Sequence, residues 1–311
     1  MTRRLIAIGG LWLLLLGILA VRAPNFFAPE NLRDMAITNA PALVVSIGMT
    51  LVILAGEIDV SIGSQFAVLS VVAGILAKSG LPLPMVAFGT LASGAVLGSV
   101  NGLLVTAMGI PSIVATLAAM AFWREFLRWT TQGAWVEGIP ATFQWMGLGQ
   151  TGGELAIVGS AAILFAVATW VTGNLKLGRA VYAVGSRRES ARLAGIPVSG
   201  VTFGVFALMG AFTALAAFLD TVRFTQVQSS AGVGLELKAI SAVVIGGTSI
   251  TGGKGSLWGT LMGVVVLAAI APALTFLGVN AFWEKAIQGA IILAAVVMER
   301  AAMKGDRAHA R

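Results

Sequence analysis

Three short stretches hold most of the side chains able to do more than fill space. GEIDVSIGS (56–64) sets Glu57 and Asp59 in an apolar run, GSRRESARLAGIPV (185–198) groups three arginines around Glu189, and GGTSITGGKGS (246–256) scatters hydroxyls and a lysine among glycines. None is a catalytic constellation. Glu57 and Asp59 stand two apart, so on a helix they point to largely different faces and form no acid–base couple. The chain has no cysteine, and its one histidine, His309, lies in a polar tail, which argues against thiol and histidine-assisted nucleophiles and against transition-metal sites. The Gly-Gly-Lys of the third stretch is followed by Gly255 rather than by the Ser or Thr of a phosphate-binding loop. No catalytic residue, metal ligand set, cofactor or ATP site is expected, and energy must come from a partner subunit or an ion gradient.

The elements that must position these stretches are greasy. Of 311 residues 58% are hydrophobic and 11% charged, and mean hydropathy is +0.93, more apolar surface than a water-soluble domain of this size can cover. The chain reads as one all-α, polytopic integral membrane domain over 1–311, with apolar spans near 5–22, 39–55, 60–77, 84–107, 112–129, 154–173, 199–219, 237–252, 255–277 and 283–299. The basic, apolar start resembles a signal peptide but shows no cleavage site before Pro24, and is expected to stay as the first of these ten helices. A net charge of +7 would suggest nucleic acid in a soluble protein; here it marks topology. With the N-terminus, the 174–198 loop and the C-terminal tail in the cytoplasm, eight cations and eight acids fall outside, so the whole positive excess lies inside.

Residues 39–77 are too long for one crossing and must turn or break at Gly56–Gly63; GGTSITGGKGS divides 237–277 in the same way. Glycine-interrupted apolar segments point to a transport path, because unwound backbone at membrane depth is tolerated only in protein or beside a cavity. Two tight cytoplasmic turns give the same pattern. In the 174–198 loop, Ser186 and Glu189 have the spacing of a capping box, and Gly195 followed by Pro197 supplies a stop, which predicts a two-turn helix over 187–194. That is more structure than a basic topology signal needs, and it suits a docking element for a cytoplasmic partner.

Gly178 and Arg179 with the AVYAVGSRRESARLAGIPV that follows them, GEIDVSIGS, NGLLVTAMGIPSIVATLAAM and GGTSITGGKGSLWGTLMGVVV resemble, collinearly from about residue 25 to 300, the signature regions of the permease subunits of bacterial ABC importers for monosaccharides, the family of the ribose, xylose, rhamnose and autoinducer-2 permeases. The resemblance implies about ten membrane helices in the inner membrane, pairing with a second permease subunit, a cytoplasmic ABC ATPase and a periplasmic sugar-binding protein. It makes 174–198 the loop of a coupling helix that plugs into the ATPase. Carried over, Gly178 and Arg179 begin that motif, Gly185 opens the turn before Ser186, Ala191 and Leu193 present contacts, and Gly195 ends it; Arg187, Arg188 and Arg192, with Glu189 among them, would meet acidic rims on the ATPase. Glu57 departs from the family form, which has glycine there, whereas Asp59 matches the family aspartate. Asp59 is either a turn residue at the cytoplasmic edge or part of a polar cluster that closes the pathway.

Asp59, Ser61, Asn101, Thr248 and Ser249 are the candidate lining of the path, although for Asn101 a bond to a neighbouring helix is the plainer reading. Arg124, Glu125 and Arg128 between Trp123 and Trp129 read as an interface anchor, and the loop TTQGAWVEGIPATFQWMG as a contact for the binding protein or an interfacial aromatic belt. That loop resembles the rhamnose-type permeases more than the ribose type. An ion-coupled secondary transporter would need acids deep in several spans, and a membrane enzyme would need clustered His, Cys or carboxylates. Within the family, autoinducer-2 and branched-chain amino acids are the alternative cargoes.

Overall fold

The computed structural model describes residues 2–280, 282–290 and 293. Its regular structure is helical, with one isolated antiparallel bridge, Val136 to Val227, among the described residues. In chain order the helices are α1 (Thr2–Arg22), α2 (Pro29–Leu54), α3 (Ile62–Lys78), α4 (Leu83–Thr106), α5 (Ser112–Thr131), α6 (Gly149–Asn174), α7 (Lys176–Ser186), α8 (Arg188–Leu193), α9 (Val198–Thr221), α10 (Leu235–Ile245) and α11 (Leu257–Phe276).

Five of them, α2, α4, α6, α9 and α11, are long and apolar enough to cross a membrane. They coincide with five of the ten expected spans. The span expected at 60–77 is the 17-residue α3, that at 112–129 is α5, whose last turns carry Arg124, Glu125 and Arg128, and that at 237–252 is the 11-residue α10. At ~1.5 Å per residue α10 covers about half a hydrocarbon core. Of the span expected at 283–299, residues 283–290 are helical, while most of the rest and the tail with His309 lie outside the described residues.

The core forms around α2, which is buried along most of its length. Small residues let the long helices approach. Gly94, Gly98 and Gly102 recur every fourth residue on α4 and face α9: a Cβ on Gly98 would lie 2.2 Å from the Phe206 carbonyl oxygen, and one on Gly210 would lie 2.0 Å from that of Gly94. This is the small-xxx-small packing by which membrane helices gain van der Waals contact where lipid removes the hydrophobic drive. Gly259 and Gly263 seat α11 on α10 in the same way. Thr50 and Thr260 join α2 to α11 through a 2.7 Å hydroxyl contact, and Leu19 and Phe26 hold the α1 region against Ala269 and Ala273 of α11.

The segment 174–198 departs from expectation. It is not a loop with one small helix but two helices in succession, α7 and α8. In α7, Gly178, Val181 and Val184 recur every three residues and are buried, an amphipathic face that the basic residues around it obscure.

Candidate functional site

The three chemically distinctive stretches converge at one end of the bundle, where α2, α7 and the 246–256 turn meet. Gly185 is at the centre: a Cβ there would fall 1.7 Å from the Leu54 carbonyl oxygen and 2.7 Å from the Gly253 amide. The Gly253 amide itself donates to the Leu54 carbonyl at 2.9 Å, so the end of α2 and the second break share a backbone hydrogen bond directly beneath α7. Gly252 (φ +86°) would clash with the Gly56 backbone if it carried a side chain, and Gly253 (φ +70°) with Ser186. Only glycine meets both demands, the left-handed conformation and the backbone contact. Tyr182 of α7 donates from its phenol to the Gly255 carbonyl at 3.0 Å, and burial pushes that phenol above its ordinary range, keeping it a neutral donor.

The first break, residues 55–61, is held by side chains. Asp59 is fully buried; its Oδ1 accepts from the Ser61 amide (2.9 Å) and hydroxyl (2.6 Å), and its Oδ2 from Asn101 Nδ2 (3.3 Å). Asn101 also donates to Ser61 Oγ at 2.8 Å, as does Gln65. The unwound amides of Ile58 and Val60 donate to Ser112 and Thr116 on the first turn of α5, at 3.2 Å each. Asp59 is thus both a residue of the turn between α2 and α3 and a member of a polar cluster, to which three of the five candidate path residues, Asp59, Ser61 and Asn101, belong. Thr248 and Ser249 lie on the second break; Thr248 is buried against Gly255, and Ser249 Oγ meets Thr251 Oγ1 at 2.8 Å.

From this junction α8 projects. Ser186 does not cap it. Ser186 is the last residue of α7, Arg187 holds the N-cap position in extended conformation (φ −160°), and no side chain bonds the first amides, so the expected capping box with Glu189 is not formed. The physical reason is the preceding helix, which keeps Ser186 in helical conformation where a cap needs an extended one. The stop is as expected: Gly195 sits at φ +78°, its amide donates to the Arg192 carbonyl (3.0 Å) and the Ile196 amide to that of Ala191 (3.0 Å), the paired bonds of a Schellman motif. Ala191 is buried and seats the helix; Leu193, 81% exposed, is presented beside the exposed Arg187, Glu189 and Arg192. At the start of α7, Gly178 packs on the Thr172 backbone and Arg179 donates to the Asn174 carbonyl at 3.1 Å.

One contact was not legible in the sequence. Arg188 of α8 forms an ion pair with Glu57, whose side chain is 6% exposed. The arginine that begins α8 is therefore tied, across 131 residues of chain, to the break that holds Asp59 two residues on. Gln65, Ser112 and Thr116 were also missed; their only signal is that each is a polar residue on the first turns of an apolar helix.

A short helix tied to two chain breaks thus stands at one end of a bundle of apolar helices, five of them long enough to cross a membrane. Comparison with known proteins makes this specific. The family described as "Branched-chain amino acid transport system / permease component" matches residues 31–296. The ribose import permease protein RbsC of Escherichia coli is 34% identical over 291 residues, covering 92% of this chain and 91% of the relative. RbsC of Haemophilus influenzae is 32% identical over 296 residues (92% and 90%), and the autoinducer 2 import system permease protein LsrC of Escherichia coli 34% over 291 (92% and 85%). No solved structure matches. The chain belongs to this family of membrane permeases of bacterial ABC importers.

Proposed function

We propose that the chain is the membrane-spanning subunit of an ABC importer that carries a monosaccharide, a pentose or a deoxyhexose such as rhamnose, across the inner membrane. It acts with a second permease copy or sister chain, a cytoplasmic ATPase that binds all the ATP, and a periplasmic sugar-binding protein. Ten crossings, with both termini in the cytoplasm, satisfy the charge distribution. The observation that carries the reading is α8: a six-residue helix ended by a Schellman stop, with Leu193 and two arginines exposed, tied to the first break through Arg188 and Glu57 and following directly on α7, which packs on both breaks.

In this reading α8 sits in a cleft of the ATPase. Closure of the ATPase on ATP displaces α8. Two rigid connections pass that displacement into the bundle: the backbone junction at Gly185, Leu54 and Gly253, and the Arg188–Glu57 pair. The breaks carry it to α3 and α11, and the two states differ in how the helices about them pack, which is what alternating access requires. Asp59, Ser61 and Asn101 close the inner end of the path as a polar plug. Among the described residues the buried carboxylates are Glu57 and Glu154, paired with Arg188 and Arg33, and Asp59, which has no cation beside it and is the feature an ion-coupled transporter would share. Its oxygens, however, are occupied by Ser61 and Asn101 within the protein.

Co-purification with the ATPase tests the proposal. Wild-type protein in detergent retains the ATPase, and the variant Arg188→Asp, Arg192→Asp, Leu193→Asp inserts normally but loses it. If wild-type protein retains no ATPase, α8 is not a coupling helix and the importer mechanism fails.

A further inference from the structure

At the end of the bundle opposite α8 a cavity of about 330 Å³ opens between α3, the end of α9 and the irregular segment that follows α9. Its lining is unlike the rest of the bundle. Ser70 on α3 is 2% exposed and its hydroxyl has no partner; the hydroxyls of Ser46, Thr169 and Thr202 on other helices are likewise unpaired, but of these four only Ser70 lines this cavity. A buried hydroxyl left unpaired beside a cavity is a group waiting for a ligand or water. Around it stand Asp220, the side-chain amides of Gln226 and Gln228, and the rings of Phe66 and Trp135.

The charge is balanced. Arg223 donates to Asp220 Oδ1 at 3.3 Å, and its guanidinium lies 5.2 Å from the centre of the Phe224 ring, so the carboxylate enters the cavity already paired. The roof is fixed: Val136 and Val227 exchange backbone hydrogen bonds at 3.0 and 2.9 Å over Gly74, which holds Trp135, Gln226 and Gln228 in place. Below, a second cavity of about 450 Å³ shares Phe66, Asp220 and Gly232 with the first and runs on to Lys238 of the half-helix α10.

We infer that the upper cavity is a carbohydrate station on the transport path, taking a small uncharged polyol with its hydroxyls on Ser70, Asp220, Gln226 and Gln228 and its C–H face on an aromatic ring. Neutral hydroxyls match a set of amides, a hydroxyl and a carboxylate already neutralised by arginine, and aromatic rings cover the apolar face of a sugar. A branched aliphatic amino acid would bring only its α-ammonium and carboxylate to these groups, the former in competition with Arg223 for Asp220, and its side chain would leave the remaining polar groups unpaired. The assignment rests on the importer reading for its place in transport, but binding can be read separately.

The test is saturation-transfer NMR on the full chain in lipid nanodiscs, with D-ribose, L-rhamnose and L-leucine as probes, comparing wild type with Ser70→Ala, Gln226→Ala, Gln228→Ala. A sugar is expected to bind wild type, and the variant is expected to bind it on the order of tenfold more weakly. Removing an unpartnered hydroxyl and two exposed amides leaves the fold intact, which thermal unfolding of the same samples checks. Equal sugar signals for the two proteins, no sugar signal with wild type, or leucine bound in preference would each overturn the station. ATPase co-purification on the same preparations separates the two readings. ATPase retained without variant-sensitive sugar binding sinks the station alone; sugar binding without ATPase retention sinks the importer mechanism and leaves the station.

Discussion

The two chain breaks solve one problem by opposite means. Both interrupt a helix within a bundle of apolar spans, where an unpaired amide or carbonyl costs several kcal/mol. The 55–61 break satisfies its backbone with side chains: Ser112 and Thr116 take the Ile58 and Val60 amides, and Asp59, Ser61, Gln65 and Asn101 bond one another. The 246–256 break uses glycine, with Gly247, Gly252 and Gly253 at positive φ and backbone pressed on backbone at Gly56, Gly185 and Gly259. A side-chain network holds one geometry through directional bonds, and it tolerates change only where donors and acceptors still match. A glycine junction holds by exclusion of volume, and tolerates no side chain at all.

The comparison breaks most severely at Gly185. Gly185→Val places a β-branched side chain where even a Cβ would overlap the Leu54 carbonyl oxygen, so the Gly253–Leu54 hydrogen bond and the seat of α7 are both lost. Backbone cannot yield cheaply on either side. Gly185→Val is expected to give little monodisperse protein on size exclusion, and Gly185→Ala to show the same defect in milder form. Wild-type yield from Gly185→Val would show that the junction is not tightly closed.

The side-chain break is expected to fail by degrees. Asp59→Ala leaves the Ser61 amide, the Ser61 hydroxyl and an Asn101 donor without their acceptor, at about 1–3 kcal/mol for each group left unpaired. Asp59→Asn keeps an acceptor and should recover part of that loss, since Asn101 Oδ1 and Gln65 Oε1 are acceptors without donors nearby. Thermal unfolding in detergent orders the three proteins; equal midpoints for Asp59→Ala and wild type would mean that the cluster holds nothing.

Between the two breaks runs the Glu57–Arg188 pair, and it sharpens the comparison by asking which break α8 acts through. A double-mutant cycle with Glu57→Gln and Arg188→Gln, read as ATP-driven uptake by the assembled complex, should give a coupling energy of about 0.5–3 kcal/mol, with Arg188→Gln the worse of the single variants and the double no worse than it. Additive losses would place the coupling entirely in the glycine junction. Exposed ion pairs contribute little, but Glu57 is buried, and removing Arg188 alone leaves its charge without a partner.

The long helices were legible because an apolar run of twenty residues has few readings: α2, α4, α6, α9 and α11 fall within a few residues of the expected spans, apart from a ten-residue extension at the start of α2. What failed were the elements whose signal is split between neighbours. Ser186 and Glu189 satisfy a capping pattern, yet Ser186 already belongs to α7, whose buried face rests on Gly178, Val181 and Val184 alone. The span expected at 237–252 stops at Ile245, since Gly246 must pass the backbone of Gly259. Asp59, Ser61 and Asn101 were picked out one by one as polar residues in apolar surroundings; that they bond one another, and that Glu57 meets Arg188, depends on tertiary packing across 40 to 131 residues of chain, which no local pattern encodes.

The smallest expected effect on the fold is at Gly195, and it separates conformation from packing. Gly195 is at φ +78° with open space around its Cα, so a substitution there meets no neighbour. Gly195→Val costs only the left-handed backbone, about 1–2 kcal/mol, set against the two bonds of the Schellman stop. Gly195→Asn, which tolerates that conformation, should cost much less. Neither change reaches the bundle core, so both proteins should insert and unfold close to wild type. The Gly195→Val protein should nonetheless lose coupled uptake, because a frayed α8 cannot transmit displacement as a rigid body, while Gly195→Asn should retain most of it. Uptake equal in all three proteins would show that α8 needs no defined end and that Arg188 alone, through Glu57, links the surface to the buried breaks.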